Sequence, residues 1–171
     1  LALISKRIAI FGRPGSGKST FALKLSQKLN LPLIHLDRWF FNSNWVKRDT
    51  EDFQKILQQF VDQESWVMDG NATRSLEARY AKAEIVLYFY YPFYLCLWRV
   101  FKRIFTKDYA IQDRAENCNE RVSFELIKYL WEFDKRVQEK LCNLHIQYPH
   151  VQIYKITNDR DLEKLCLEKK W

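Results

Sequence analysis

The stretch IAIFGRPGSGKSTFALKL, Ile8 to Leu25, contains three of the four glycines in a chain of 171 residues. Gly12, Gly15 and Gly17 fall within six positions, and Gly70 stands alone. An apolar run precedes them and a helical pattern follows. Lacking a Cβ, glycine lets the backbone turn tightly and approach a ligand closely. Three in one short loop mark a place where main chain itself touches something.

Gly12-Arg13-Pro14-Gly15-Ser16-Gly17-Lys18-Ser19 fits G-x-x-x-x-G-K-[ST], the P-loop, in the required strand-before and helix-after context. Backbone N–H groups of such a loop curl around phosphate oxygens. The helix behind it points about half a positive elementary charge at the same anion. Gly12, Arg13, Pro14, Gly15, Ser16, Gly17, Lys18, Ser19 and Thr20 are therefore the expected contacts of a nucleoside triphosphate, ATP. Lys18 is expected on the β- and γ-phosphates and the Ser19 hydroxyl on Mg²⁺.

The charge distribution agrees. The net charge is +7, and all six cations before Asp37 (Lys6, Arg7, Arg13, Lys18, Lys24, Lys28) precede any acid. A basic first third suits a polyphosphate, and equally a nucleic acid. The length suits one domain, and 16% aromatic content argues against disorder. The longest uncharged apolar run, Ile85 to Trp98, is interrupted by Pro92. It falls short of the roughly 20 residues a membrane span needs. The N-terminal LALISKRIAI has no initiator Met and no small-residue cleavage site, so no signal peptide is expected there. Cys96, Cys118, Cys142 and Cys166 are widely spaced without a C-x-x-C, which suggests reduced thiols and a cytoplasmic protein. No membrane partner is expected, and the chain is expected to be a monomer or weak dimer.

Strand and helix patterns alternate along the chain. Strands are expected at Arg7 to Phe11, Leu33 to Leu36, Trp66 to Met68, Ile85 to Tyr90 and Val151 to Ile156. Helices are expected at Lys18 to Leu29, Thr50 to Asp62, Phe93 to about Lys107, Ser123 to Leu144 and Asp159 to Lys169, the last capped by Thr157 or Asn158. Such alternation implies an α/β fold, a parallel sheet with helices on both faces. Ligands of such folds bind beyond the carboxyl ends of the strands, where Gly12, Asp37, Asp69 and Pro92 fall.

Those positions supply further candidates. Asp69, ending the apolar run Trp66-Val67-Met68, suits a Walker B carboxylate holding Mg²⁺, or else a turn before Gly70. Asp37, ending LIHLD, could accept a proton from a substrate hydroxyl, bind substrate or metal, or cap the segment after it. His35 reads better as a core histidine. Arg99 and Arg103 share one helix face, and Arg114 and Arg121 follow in and after the polar stretch Asp108 to Asn119. Planar guanidinium groups match phosphoryl oxygens, so these four arginines are candidate catalytic residues on a lid over about 104–121. Trp39, Phe40, Phe41 and Trp45 could stack a ring or simply cover core.

The segments IAIFGRPGSGKST, LPLIHLD, NWV, WVMDGN, LCLWRV and ENCNER together resemble the bacterial DNA topology modulation protein family, adenylate-kinase-like P-loop proteins, over about Lys6 to Leu165. The resemblance implies a P-loop three-layer sandwich with strand order 2-3-1-4-5 and a small helical lid between the fourth strand and the long helix. It implies that Arg99 and Arg103 match the nucleotide-contacting Arg-x-x-x-Arg pair at the mouth of the lid. In adenylate kinases an arginine after the strand-three Asp-Gly contacts substrate; here Arg74 lies one position further along.

The leading expectation is ATP-dependent phosphoryl transfer to a small-molecule or nucleotide acceptor. The alternative is a nucleotide-dependent regulatory or DNA-associated binding protein without small-molecule turnover. No helix-turn-helix or zinc-finger spacing supports nucleic acid as a partner. A GTPase would need N-K-x-D, and an ABC ATPase L-S-G-G-Q; neither is present.

Overall fold

A computed structural model describes residues 6–72, 75–105 and 123–171. Its elements run β1 (Arg7–Gly12), α1 (Lys18–Leu29), β2 (Leu33–His35), α2 (Leu36–Phe40), a 3-10 turn (Ser43–Trp45), α3 (Thr50–Val61), β3 (Trp66–Asp69), α4 (Leu76–Lys82), β4 (Ile85–Phe89), α5 (Phe93–Phe105), α6 (Phe124–Gln147), β5 (Gln152–Ile156) and α7 (Asp159–Lys169). All strand pairs are parallel. The order β2-β3-β1-β4-β5 is the one the resemblance implied.

Side chains alternate across a strand, so each central strand feeds two cores. Ile8 and Ile10 of β1 and Val67 of β3 face Ala22 and Leu25 of α1 and Val100 of α5. Ala9 and Phe11 of β1 and Met68 of β3 face Phe53 and Leu57 of α3, Tyr80 of α4 and Phe133 of α6. Burial on both faces explains why β1, β3 and β4 read as continuous apolar runs. The edges are blunted: β2 has three residues, and β5 exposes Gln152 and Lys155.

Three local signals set the helix ends. Asp49 caps α3 by accepting from the Glu51 and Asp52 amides. Ser123 caps α6 by accepting from Leu126 N, and Asn158 caps α7 by accepting from Asp161 N. Two helices were not anticipated. The short α4 follows β3, and α2 begins at Leu36, so the second strand ends one residue earlier than expected. Asp37 therefore lies in the first turn of a helix and not at a strand end. The Asp108 to Asn119 stretch, most of the expected lid, and Arg74, Arg114 and Arg121 lie outside the described residues. Among the described residues no helix is long and apolar enough to cross a membrane.

Phe133 is 1% exposed and joins α6 to the sheet. Phe133→Ala is expected to cost about 3–5 kcal/mol in urea unfolding, the usual range for emptying an aromatic core position. A loss below about 1 kcal/mol would show that α6 does not seal this face.

Candidate functional site

The loop between β1 and α1 is built by close approach. A Cβ on Gly12 would lie 2.5 Å from Phe89 O, and one on Gly15 would lie 2.3 Å from Cys96 O. Gly15 also adopts φ 81°, which L side chains rarely tolerate. The loop thus passes directly over β4 and under α5. Ser16 N donates to Arg13 O at 3.1 Å, and Gly17, in the left-handed region, starts α1.

Two features of this loop fit a phosphate. Ser16 Oγ is buried without a hydrogen-bond partner, an arrangement proteins usually avoid. Lys18 is only 7% exposed and makes no ion pair with a carboxylate among the described residues. A buried ammonium outside any direct ion pair among the described residues, in one loop with an unsatisfied hydroxyl and a helix N-terminus, is a site shaped for an anion. Ser19 is half-buried at the first turn of α1, and Asp69 is 2% exposed at the end of the neighbouring strand β3. A hydroxyl and a carboxylate are oxygen donors of the kind Mg²⁺ takes. The residues present therefore fit both a polyphosphate and its metal.

Asp69 has a partner that orients it: His35 Nδ1 lies 2.5 Å from Asp69 Oδ1. His35 is therefore satisfied, as expected, but by a site residue. Asp37 stands close by, its Oδ1 accepting from Asn71 N at 3.1 Å. Burial pushes the Asp37 carboxyl up, Asp69 adds to this, and Lys18, the Asn71 amide and Arg79 oppose it. The same negative charge helps burial raise the Tyr129 hydroxyl, which places α6 near Asp37. Lys18, Asp37 and Asp69, distant in sequence, thus form one electrostatic unit at the carboxyl ends of β1, β2 and β3.

On the other side of the loop a cavity of about 390 Å³ is lined by Ser16, Phe21, Tyr91, Arg99, Arg103 and Asp159 among others. Arg99 Nη1 donates to Ser16 O at 3.3 Å, its guanidinium lies over the Tyr91 ring, and Asp159 pairs with it at 3.7 Å. Arg99 therefore reaches the loop, and Arg103 lines the same cavity. Thr20 also lines this cavity. The Arg13 side chain goes elsewhere: it pairs with Asp134 of α6 and donates to Tyr91 O at 2.9 Å. Asp134 also accepts from the Tyr88 hydroxyl at 2.8 Å. Arg13 contributes to the loop through its carbonyl while its side chain ties the loop to α6. In the aromatic segment, Phe40 packs on Phe53 and Trp39 on Phe60, whereas Trp39 and Trp45 remain 39% and 40% exposed.

Sequence reasoning missed Arg79. It is fully buried, and burial lowers its pKa to about 10, so it stays a cation at neutral pH. A signal existed: Arg79 shares the apolar stripe of α4 with Leu76 and Tyr80, where a charge is out of place. Asp134 and Asp159 were also missed, because their contacts are tertiary.

The comparisons agree with this architecture. A family model, "ATPase family associated with various cellular activities (AAA)", matches residues 8–68, from β1 to β3. A shikimate kinase from Acinetobacter baumannii in complex with shikimate superposes with a TM-score of 0.59 at 16% identity, covering 97% of this chain and 94% of that one. A shikimate kinase from Bacteroides thetaiotaomicron gives 0.55 at 18%, covering 98% and 100%. A deoxyadenosine kinase from M. mycoides with bound dATP gives 0.55 at 14%, covering 96% and 100%. No curated protein matches the sequence. The chain has the P-loop NTPase fold that these kinases share.

The raised Asp37 carboxyl has a stability consequence. Its folded-state pKa lies above the unfolded value of 3.8, so holding it ionised at pH 7 costs folding free energy. Asp37→Asn is expected to be at least as stable as wild type in urea at pH 7. The advantage should vanish as pH falls below 3.8, where both states carry the proton. A less stable variant at pH 7 would show that Lys18 and Arg79 outweigh the burial of Asp37.

Proposed function

We propose that the protein is a Mg²⁺- and ATP-dependent phosphotransferase acting on a small-molecule or nucleotide acceptor. The observation that carries this reading is the juxtaposition of the buried Lys18 with two differently placed carboxylates, Asp69 and Asp37. One carboxylate next to a phosphate loop suffices for nucleotide binding. A second one, half-buried and raised, is what transfer to an acceptor requires. The kinase neighbours support the reading at the level of fold.

The division of labour follows from position. The amides of Gly15, Gly17 and Lys18 hold the phosphates, and the Lys18 ammonium meets their outer oxygens. Ser19 and Asp69 would hold Mg²⁺, which neutralises charge on the transferred group. Asp37 takes the proton of the acceptor hydroxyl as that oxygen bonds phosphorus and the bond to the ADP oxygen breaks. A carboxylate with a raised pKa is the better base for this, because proton affinity rises with pKa. Arg99 and Arg103, at the mouth of the nucleotide cavity, meet charge that spreads over the phosphoryl oxygens. A reducing, cytoplasmic setting fits the thiols: Cys96, Cys142 and Cys166 form no disulfide among the described residues. The kinase reading also accommodates the resemblance to DNA topology modulation proteins.

The test compares three variants in a phosphoryl-transfer assay. Lys18→Ala should lose at least about 100-fold in rate, the scale of one transition-state charge contact of roughly 3 kcal/mol. Asp69→Asn should need far more Mg²⁺ to reach its maximum. Asp37→Asn should bind ATP normally, transfer slowly, and lose the acid limb of the wild-type pH–rate profile. In wild type that limb lies above the ordinary aspartate range, because activity falls as Asp37 gains its proton. Equal loss of ATP affinity in the Asp37 and Asp69 variants would remove the proposed division.

A further inference from the structure

Arg79 has no surface exposure, yet it remains charged. An apolar side chain of similar volume would stabilise a core as well or better, so a buried guanidinium calls for another role. Its contacts define one. Arg79 Nη1 donates to Gly70 O at 3.1 Å, Nη2 makes a longer contact with Ala72 O at 3.5 Å, and the guanidinium lies over the Phe11 ring of β1. Ala72 O is held a second time by the Ser75 hydroxyl at 2.6 Å, so Gly70 is where Arg79 matters most.

Between those two carbonyls lies Asn71. Its amide donates to Asp37 Oδ1 at 3.1 Å, and its side-chain Oδ1 accepts from Gly12 N at 3.4 Å. One residue thus touches the first glycine of the phosphate loop and the half-buried carboxylate of α2. The strap carrying it has no slack. Gly70 adopts φ 132°, and a Cβ there would lie 2.9 Å from Leu36 Cβ and 3.1 Å from Asp37 Oδ1.

The geometry points to Arg79 as a positioning residue: by clamping the carbonyls on either side of Asn71, it fixes that residue as the bridge between the phosphate loop and Asp37. That this bridge serves phosphoryl transfer rests on the kinase reading; that Arg79 holds it does not. Arginine supplies two parallel donors from a rigid plane, which matches two carbonyls flanking one residue. Arg79 therefore acts on the acceptor side through Asn71, without touching substrate.

The test reads the bridge directly. In Arg79→Met, amide hydrogen exchange at Asn71 should accelerate at least tenfold, while Val67 and Met68 in β3 exchange as in wild type. Acceptor-dependent transfer should fall at least tenfold with ATP affinity changed less than threefold. Arg79→Met combined with Asn71→Ala should be no slower than Asn71→Ala alone, because a residue acting through another adds nothing once that other is gone. If Arg79→Met does not fold, Arg79→Lys gives the same reading. Its ammonium cannot span both carbonyls, and Asn71 exchange should rise at least threefold. Unchanged Asn71 exchange in a folded variant overturns the proposal. Acceleration spread evenly over β3 also overturns it, reducing Arg79 to core packing. Absence of transfer by the wild-type protein would defeat the kinase reading and leave the exchange result to decide this one.

Discussion

The phosphate loop leaves no room for side chains where it crosses β4 and α5, and much of the site follows from that constraint. Carbonyl oxygens of Phe89 and Cys96 stand where Cβ atoms of Gly12 and Gly15 would be. Helix α5 can pack this closely only because the loop is glycine. That packing brings Arg99 within hydrogen-bond reach of Ser16 O and sets Arg103 on the same cavity. On the opposite side, Arg13 reaches Asp134 and fastens the loop to α6. The loop is thus tied directly to both α5 and α6.

The second organising feature is a balance of buried charge. Lys18 and Arg79 stand against Asp37 and Asp69 in the space between β1, β2, β3 and α4. Burying Lys18, Asp69 and Arg79 beside the half-buried Asp37 is expensive even when the charges compensate. The cost shows as an Asp37 carboxyl pushed upward and an Arg79 pKa pulled down to about 10. Natural proteins keep such arrangements where function needs a group poised away from its ordinary ionisation. The two cations divide the space: Lys18 faces the loop, and Arg79 lies beneath the Gly70–Ala72 strap.

What could be read from the sequence was what short-range chemistry fixes. The loop and α1 were legible because phosphate is bound by backbone and by a helix N-terminus, so the pattern is local. The expected α1 and α7 boundaries coincide with the observed ones, because Asn30 in the left-handed region ends α1 and Asn158 caps α7. Alternation gave the layered class, whereas strand order needed the family resemblance, since nothing local tells β2 to pair with β3 and not β1. Asp37 was misplaced by one element: LIHLD is apolar enough to read as strand, but the chain turns at His35 into a helix that buries Leu36. Arg79 stayed hidden because its meaning is set by Gly70 and Ala72, carbonyls that no sequence pattern displays.

The central claim is transfer of a phosphoryl group to an acceptor, and the most direct measurement is ATP turnover with and without a panel of nucleosides, nucleotides and hydroxylated small acids and sugars. The account predicts slow turnover on ATP and Mg²⁺ alone. At least one acceptor should accelerate it by orders of magnitude, with one phosphorylated product formed per ADP released. ATP hydrolysis that no acceptor accelerates, with phosphate as its only product, would contradict it.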